Sequence, residues 1–265
     1  MACMRDALTY VLVMLSSGLG AADVLVGVIQ ESAPAGSATR AIGRVLFSSD
    51  GAGGWRAFAG VPPARVSWSV ISDGASIASV VTQVRPGFME ADRGRHDPVT
   101  GWTVPWPGRA QDRFSGWIDD RPVHWPLVLS TGGAADPDGW RREPAPPVHV
   151  MARVFAALAE RWGDARIDRL PEIHRARDGR RFISAPVSVE ERQALTMMVM
   201  GRCMWQGADG TIRWMSADAI LVDAGDWDGD GRSELLTWTA AYNEEGFDLW
   251  WDDARHHATV RWSHH

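Results

Sequence analysis

The sequence contains no lysine and only two cysteines, Cys3 and Cys203, among its 265 residues. All 27 basic residues are arginines, and 33 acidic residues leave a formal net charge of −6. Proteins that bind nucleic acid neutralise phosphates with a basic patch or stripe, and the sequence has none. These scarcities argue against nucleic acid as a partner and against a fold held together by several disulfides.

Long apolar runs are also missing, since no segment approaches the roughly 20 residues that cross a bilayer. The apolar stretch 7–15 follows Arg5 and precedes the small residues Gly20, Ala21 and Ala22. This order predicts that residues 1–22 are a secretory signal peptide, cleaved before Asp23; a buried N-terminal strand is the alternative. Cleavage would remove Cys3, and the chain would then act in the periplasm or outside the cell without a transmembrane segment.

Several catalytic signatures are absent as well. The sequence has no Gly-x-Ser-x-Gly elbow, no phosphate-binding loop and no His-Glu-x-x-His zinc motif. Each of these motifs places a nucleophile, a set of backbone donors or two metal ligands at a fixed spacing. Hydrolases and nucleotide-binding proteins of those classes are therefore not indicated.

Short β-branched and aromatic segments, separated by Gly, Pro, Asp and Asn, fill much of the remaining sequence. Such spacing is typical of antiparallel sheets joined by tight turns. We expect residues 23–265 to form a single mainly β domain, a propeller-like antiparallel meander with one central α-helix; a two-sheet sandwich is the second choice. Residues 41–84 could form one four-stranded up-and-down unit, and residues 126–130 a buried strand.

A helical period occurs in residues 151–162, where apolar side chains share one face: Met151, Val154, Phe155, Leu158 and Trp162. Spacings of three and four residues predict an amphipathic helix that packs against a sheet. Pro147 suits the first turn of this helix, and Gly163 suits its C-terminal end.

The segment 226–234, Asp-Trp-Asp-Gly-Asp-Gly-Arg-Ser-Glu, carries the clearest chemical signal. Four carboxylates, those of Asp226, Asp228, Asp230 and Glu234, occur within nine residues and repel one another unless a cation lies between them. Gly231 permits the positive φ that lets the chain curl, and the Arg232 carbonyl can then face inward. Oxygen ligands in a flexible set favour Ca²⁺ over Mg²⁺ and Zn²⁺.

The loop differs from an EF-hand. An EF-hand has a Glu at the twelfth loop position and helices on both sides, whereas the twelfth position here is Thr237 and the flanking segments 219–222 and 235–239 have strand character. The loop is therefore expected in a β-hairpin. A similar segment, Asp136-Pro137-Asp138-Gly139, lacks a third carboxylate and is interpreted as an ordinary turn.

The pattern Asp-x-Asp-Gly-Asp-Gly-x-x-Glu followed by an apolar strand resembles the calcium loop of FG-GAP or VCBS repeats of integrin-like β-propellers. The resemblance covers about residues 218–262 and implies Ca²⁺ bound by the side chains of Asp226, Asp228, Asp230 and Glu234 and by the Arg232 backbone. The sequence also resembles uncharacterised secreted bacterial proteins that end with one such loop, a turn like that at 242–247 and a terminal Trp-Ser-x-His. A structural role for the ion is expected.

The leading functional prediction is a non-catalytic, calcium-stabilised module that binds or scaffolds an unknown protein or glycan ligand. The alternative is a secreted glycan-acting hydrolase or carbohydrate-binding protein that uses the Trp-rich loops at 86–125. Paired carboxylates serve glycosidases as acid and base, and aromatic faces contact sugars. The candidate residues are Glu90, Asp92 and Asp97 as acids, with Trp102, Trp106, Trp117 and Trp125 in the surrounding loops.

Overall fold

The computed structural model describes residues 23–30, 40–59, 65–83, 101–105, 115–118, 121–124, 126–163, 166–167, 170–188, 201–240 and 244–263. These residues are mainly β, with one helix and three larger antiparallel sheets. The mainly β prediction is confirmed.

The first nine strands build a seven-stranded sheet and a separate hairpin. They are β1 (Leu25–Gln30), β2 (Arg40–Ser49), β3 (Trp55–Ala57), β4 (Arg65–Ser72), β5 (Ala75–Gln83), β6 (Gly101–Pro105), β7 (Ser115–Ile118), β8 (Arg121–His124) and β9 (Leu127–Ser130). The order in the sheet is β1-β9-β4-β5-β6-β2-β3, and β1 also pairs with β2. Strands β7 and β8 pair only with each other among the described strands.

The single four-stranded unit expected over residues 41–84 is wrong. Strand β4 pairs with β5 and β9, whereas β2 pairs with β1, β3 and β6. Strand β9, predicted as a buried strand, is buried at all four residues and lies between β1 and β4. A largely apolar strand gains most by lying inside a sheet, and burial therefore places β9 between two strands that are far from it in sequence.

The next six strands form a second sheet, and the last four form a third. They are β10 (Arg141–Arg142), β11 (Arg166–Ile167), β12 (Glu172–Arg175), β13 (Arg181–Ser188), β14 (Gly201–Gln206), β15 (Ile212–Asp218), β16 (Ile220–Gly225), β17 (Glu234–Ala240), β18 (Glu244–Trp251) and β19 (His256–Ser263). The second sheet has the order β10-β12-β13-β14-β15, and β11 pairs with β13. The third is a meander of consecutive strands, β16-β17-β18-β19.

The predicted helix is α1 (Val148–Trp162), which covers the outer face of the six-stranded sheet. Val150, Val154 and Leu158 are buried against residues of β12, β13 and β14. Phe155, expected on the core face, is 41% exposed, because Val150 rather than Phe155 completes the buried stripe. Gly163 ends the helix with a φ of 61° and donates its backbone N–H to the Ala159 carbonyl over 2.8 Å.

The four-stranded sheet is buried on both faces. Leu236 and Phe247 pack in one cluster with Val28 of the seven-stranded sheet, while Leu235 and Trp250 pack in another with residues of the six-stranded sheet. Successive strand residues point to opposite faces, so apolar neighbours in β17 fill both clusters. This central position brings the β16–β17 connection close to the segment that links the two outer sheets.

Candidate metal centre

Residues 226–234, called the acidic loop below, join two paired strands. The β16–β17 register runs from Ile220 opposite Trp238 to Gly225 opposite Glu234, so the loop closes an antiparallel hairpin as expected. Thr237, at the EF-hand glutamate position, is fully buried in β17 and accepts a 3.0 Å hydrogen bond from the Trp250 indole N–H. Thr237 therefore lies in a strand and is excluded as a metal ligand.

The four carboxylates of the acidic loop converge. Each of Asp226, Asp228, Asp230 and Glu234 offers an oxygen, and these oxygens all lie within 4.8 Å of one another. Trp227, between the first two aspartates, is fully buried in the cluster shared by the seven-stranded and four-stranded sheets. The loop thus has an apolar anchor and a carboxylate cluster that could hold a metal ion.

Backbone N–H groups of the loop hold the aspartates in place. Gly229 and Gly231 donate to the two oxygens of Asp226 over 2.8 and 3.0 Å. The N–H of Asp230 donates to Asp228 over 3.2 Å. Gly229 and Gly231 have φ values of 81° and 90°, the left-handed region that glycine adopts at little cost. The positive φ expected at Gly231 is confirmed, and Gly229 shares it.

Glu234 is the buried member of the cluster. Its side chain lies at the start of β17 and accepts a 2.8 Å hydrogen bond from the Trp227 N–H, while the whole residue is 2% exposed. Burial raises the pKa of Glu234 to about 9, and the three neighbouring aspartates add to the shift. Burial also raises the pKa of Asp228, with repulsion from Asp230 and Asp226 contributing.

None of the ion pairs between described residues includes any of the four carboxylates.

Arg232 connects the acidic loop to the next hairpin. Its guanidinium lies 3.0 Å from Asp252 and 3.0 Å from Asp253, in the turn between β18 and β19. Its backbone N–H donates to Asp230 over 2.8 Å. The side chain thus points away from the carboxylate cluster, and the proposed ligand role of the Arg232 carbonyl stays a prediction.

Residues 136–139, called the acidic turn below, dock on the acidic loop. The Ser233 hydroxyl donates to Asp136 over 2.6 Å, and the Ser233 N–H donates to Asp138 over 3.2 Å. Asp136 also accepts the N–H groups of Gly139 and Trp140, over 2.9 and 2.6 Å. Sequence reasoning missed this docking, because a separation of about 97 residues carries no local signal.

Two glycines let the chain before the acidic turn run against the acidic loop. The Gly133 N–H donates to the Trp227 carbonyl over 3.0 Å, and the Asp226 N–H donates to the Ala135 carbonyl over 2.8 Å. A Cβ atom on Gly133 would lie 1.9 Å from the Asp226 carbonyl oxygen, and one on Gly132 would lie 2.0 Å from that of Trp227. Backbone contact this close requires glycine.

The other sequence candidates do not meet at this site. Glu90, Asp92 and Asp97 lie outside the described residues, as do Trp106 and Trp125. Strands β6 and β7 contain Trp102 and Trp117, whose side chains are not among those described. The alternative glycan site therefore stays untested.

Comparisons with known proteins did not identify a family: no family model matches the chain, and neither a curated protein nor a solved structure matches it. The resemblance to FG-GAP and VCBS calcium loops stays a prediction. In the part of the chain that the structure describes, no helix is long and apolar enough to cross a membrane.

Proposed function

We propose that this chain is an exported, non-catalytic β module whose acidic loop binds Ca²⁺ in the manner of FG-GAP and VCBS repeats, and that the module binds or scaffolds a protein or glycan ligand. The observation that carries the proposal is the convergence of four carboxylates to within 4.8 Å. Such a cluster is unfavourable when empty, because like charges repel, and a divalent cation removes the repulsion.

The donor set supports Ca²⁺ rather than another metal. Among the described residues, the cluster contains only carboxylate oxygens, with no histidine nitrogen or cysteine sulfur. Zn²⁺ prefers nitrogen and sulfur, and Mg²⁺ requires a tight octahedron and keeps most of its waters. Ca²⁺ accepts six to eight oxygens in a flexible arrangement, which a nine-residue loop with two glycines can supply.

A bound ion would stabilise contacts between sheets. The acidic loop holds the acidic turn through Ser233 and the β18–β19 turn through Arg232. Trp227 anchors the same loop in the core beside the seven-stranded sheet. The acidic turn belongs to the segment between β9 and β10, which links the two outer sheets. Fixing this loop therefore favours the native arrangement of all three sheets.

Calcium titration of the metal-free protein tests the proposal. Calorimetry, thermal melting and elemental analysis are carried out on the wild type and on Asp228→Asn, which removes one charge with little change in size. Asp209→Asn is the matched control, because Asp209 is an exposed aspartate in the turn between β14 and β15 that also accepts a backbone N–H, from Thr211 over 2.9 Å.

The wild type and Asp209→Asn are expected to bind one Ca²⁺ and to melt at a higher temperature with calcium. Binding to the native state alone adds about 2.7 kcal/mol at a free calcium concentration of about 100 Kd. Asp228→Asn is expected to lose most of this gain. No bound metal, together with equal melting temperatures in calcium and chelator, would contradict the proposal.

Export is tested separately, at the N-terminus. The residues Gly20-Ala21-Ala22 predict a mature chain that starts at Asp23. Mass spectrometry of the protein from its native cells is expected to find that start outside the cytoplasm. Intact Met1 on a cytoplasmic protein would contradict export without affecting the calcium proposal.

A further inference from the structure

Three arginines lie side by side across three neighbouring strands of the six-stranded sheet. Arg141 of β10 is directly opposite Arg175 of β12, and Arg175 is directly opposite Arg181 of β13. Directly opposite residues point to the same face, with Cβ atoms about 5 Å apart, and like charges in such pairs are destabilising. This set, called the arginine row below, is costly unless negative charge compensates it.

The protein compensates the row only in part. Glu143 lies 2.8 Å from Arg181 and 3.9 Å from Arg175, so one carboxylate serves two guanidiniums. Arg141 lies 3.4 Å from Asp136, which already accepts three shorter hydrogen bonds from the acidic turn and Ser233. Positive charge therefore remains at the outer end of the row.

That end opens into a groove of about 360 Å³. Its charged lining, among the described residues, consists of Arg141, Arg142, Arg175, Arg177 and Glu143. Four guanidiniums against one carboxylate leave an excess of positive charge in the lining, which Asp136 beside Arg141 and Glu172 near Arg142 reduce from outside it, in a chain whose net charge is −6. The side chains of Arg141 and Arg175 are 60% and 49% exposed, so a ligand from solution can reach them.

A larger cavity of about 660 Å³, on another part of the surface, also contains arginines but lacks this excess. Arg180 lies within 2.8 Å of Asp138, Asp178 and Asp253. Arg232 pairs with Asp252 and Asp253. These guanidiniums already form ion pairs with carboxylates and so stabilise the neighbouring turns. An anion would neutralise the positive charge of the smaller groove.

We propose that the groove at the arginine row binds a phosphate or sulfate group. Guanidinium N–H groups form short, charge-assisted hydrogen bonds to such oxygens, and several arginines on one face match an ion with oxygens in several directions. A dianion offsets more of the excess charge than a single carboxylate would. The group can be a free ion or part of a lipid headgroup, and the residues that line the groove lie outside the acidic loop.

Titration of the purified, calcium-free protein with sodium phosphate and sodium sulfate tests the proposal. Calorimetry at low ionic strength, above the second pKa of phosphate, compares the wild type with Arg175→Gln and Arg141→Gln. Both side chains are about half exposed, so the variants are expected to fold, and melting curves verify this. Arg255→Gln is the control, since Arg255 is 61% exposed and lines the larger cavity.

A second arm uses vesicles of phosphatidylcholine with and without phosphatidic acid, and measures co-sedimentation of the same variants. Free-ion binding in the first arm identifies a soluble phosphate or sulfate as sufficient. Retention only on the phosphatidic acid vesicles, with loss in Arg175→Gln, identifies the lipid headgroup as the source. Both results support the groove as an oxyanion site.

The wild type and Arg255→Gln are expected to bind one anion with equal affinity, and each groove variant is expected to bind it about tenfold more weakly. The absence of saturable binding in both arms would overturn the proposal. Equal weakening by Arg255→Gln and Arg175→Gln would also overturn it, because that result indicates general charge attraction rather than a site.

Discussion

The acidic loop and the acidic turn are neighbours with similar sequences, but their carboxylates have different partners. In the turn, Asp136 accepts two backbone N–H groups and the Ser233 hydroxyl, and Asp138 pairs with Arg180 over 2.8 Å. In the loop, carboxylates face one another within 4.8 Å. A candidate metal site is therefore recognised by carboxylates that form no ion pair with a described cation, and not by the number of acidic residues in a segment.

The two segments also depend on each other. The acidic turn uses Ser233 of the loop as a donor, while the loop uses the Ala135 carbonyl as an acceptor for the Asp226 N–H. The turn is held by hydrogen bonds that exist without any ligand. The loop is expected to reach its full stability only with a cation. Substitutions in the two segments distinguish stabilisation by hydrogen bonds in the turn from stabilisation by a cation in the loop.

The largest effect is expected from Asp136→Ala in the acidic turn. This substitution leaves the N–H groups of Gly139 and Trp140 and the Ser233 hydroxyl without their buried acceptor, and each such loss costs about 1–3 kcal/mol. Urea denaturation is expected to show a loss of about 3 kcal/mol or more both with and without calcium. The control Asp209→Ala removes an exposed acceptor of similar chemistry and is expected to cost under about 1 kcal/mol. A loss that disappears in calcium-free buffer would contradict the contrast between turn and loop.

A second effect concerns Asp223, the buried carboxylate of β16 near both segments. Burial raises its pKa from 3.8 to about 6, with repulsion from Asp73 and Asp136 contributing, although Gly74 and Ala224 donate hydrogen bonds to it. The native state therefore holds this proton more tightly than the unfolded state, and the stability it contributes is lost as the pH rises from about 4 to about 6.

Asp223→Asn is expected to remove this dependence. Across that pH interval the wild type should lose up to about 3 kcal/mol of unfolding free energy relative to the variant, since one pKa unit corresponds to about 1.4 kcal/mol. Urea denaturation of both proteins over a pH series measures the difference. A constant difference across the series would show that Asp223 titrates alike in the native and unfolded states.

An intermediate effect is expected from Ser233→Ala, which removes the hydroxyl between loop and turn. Asp136 loses its 2.6 Å hydrogen bond, and a loss of about 1–2 kcal/mol is expected in urea denaturation. The exposed Ser79 of β5 provides the control Ser79→Ala, with little expected change. Calcium affinity, measured in the same variant, should fall as well if the turn orders the loop; unchanged stability and affinity would mean that the contact is dispensable.

The smallest effect, and one of opposite sign, is expected from Asp228→Asn in calcium-free protein. Partial burial and repulsion from Asp230 and Asp226 disfavour its charge, so a neutral amide should stabilise the empty loop, by under about 1 kcal/mol because solvent screens a half-exposed group. In saturating calcium the same variant should be less stable than the wild type. A loss of stability in both conditions would mean that Asp228 supports the fold independently of a cation.

Much of the local structure could be predicted from the sequence. The helix follows from the apolar spacing of Val154 and Leu158 and ends at Gly163, and β9 follows from an apolar run bounded by Pro126 and Thr131. The acidic loop could also be predicted from the sequence, because its four carboxylates and its glycines lie within nine residues. Periodicity and turn chemistry act over a few residues and so leave a signal in the sequence.

The mainly β character, the helix and the hairpin that carries the acidic loop therefore follow from local sequence patterns. Three features depend on long-range packing: the position of β9 between β1 and β4, the docking of Asp136 on Ser233, and the arginine row across β10, β12 and β13. The physical reason is the range of the interactions. A turn or a metal loop is specified by neighbouring residues, whereas strand order and cross-strand pairs depend on how distant apolar faces bury one another.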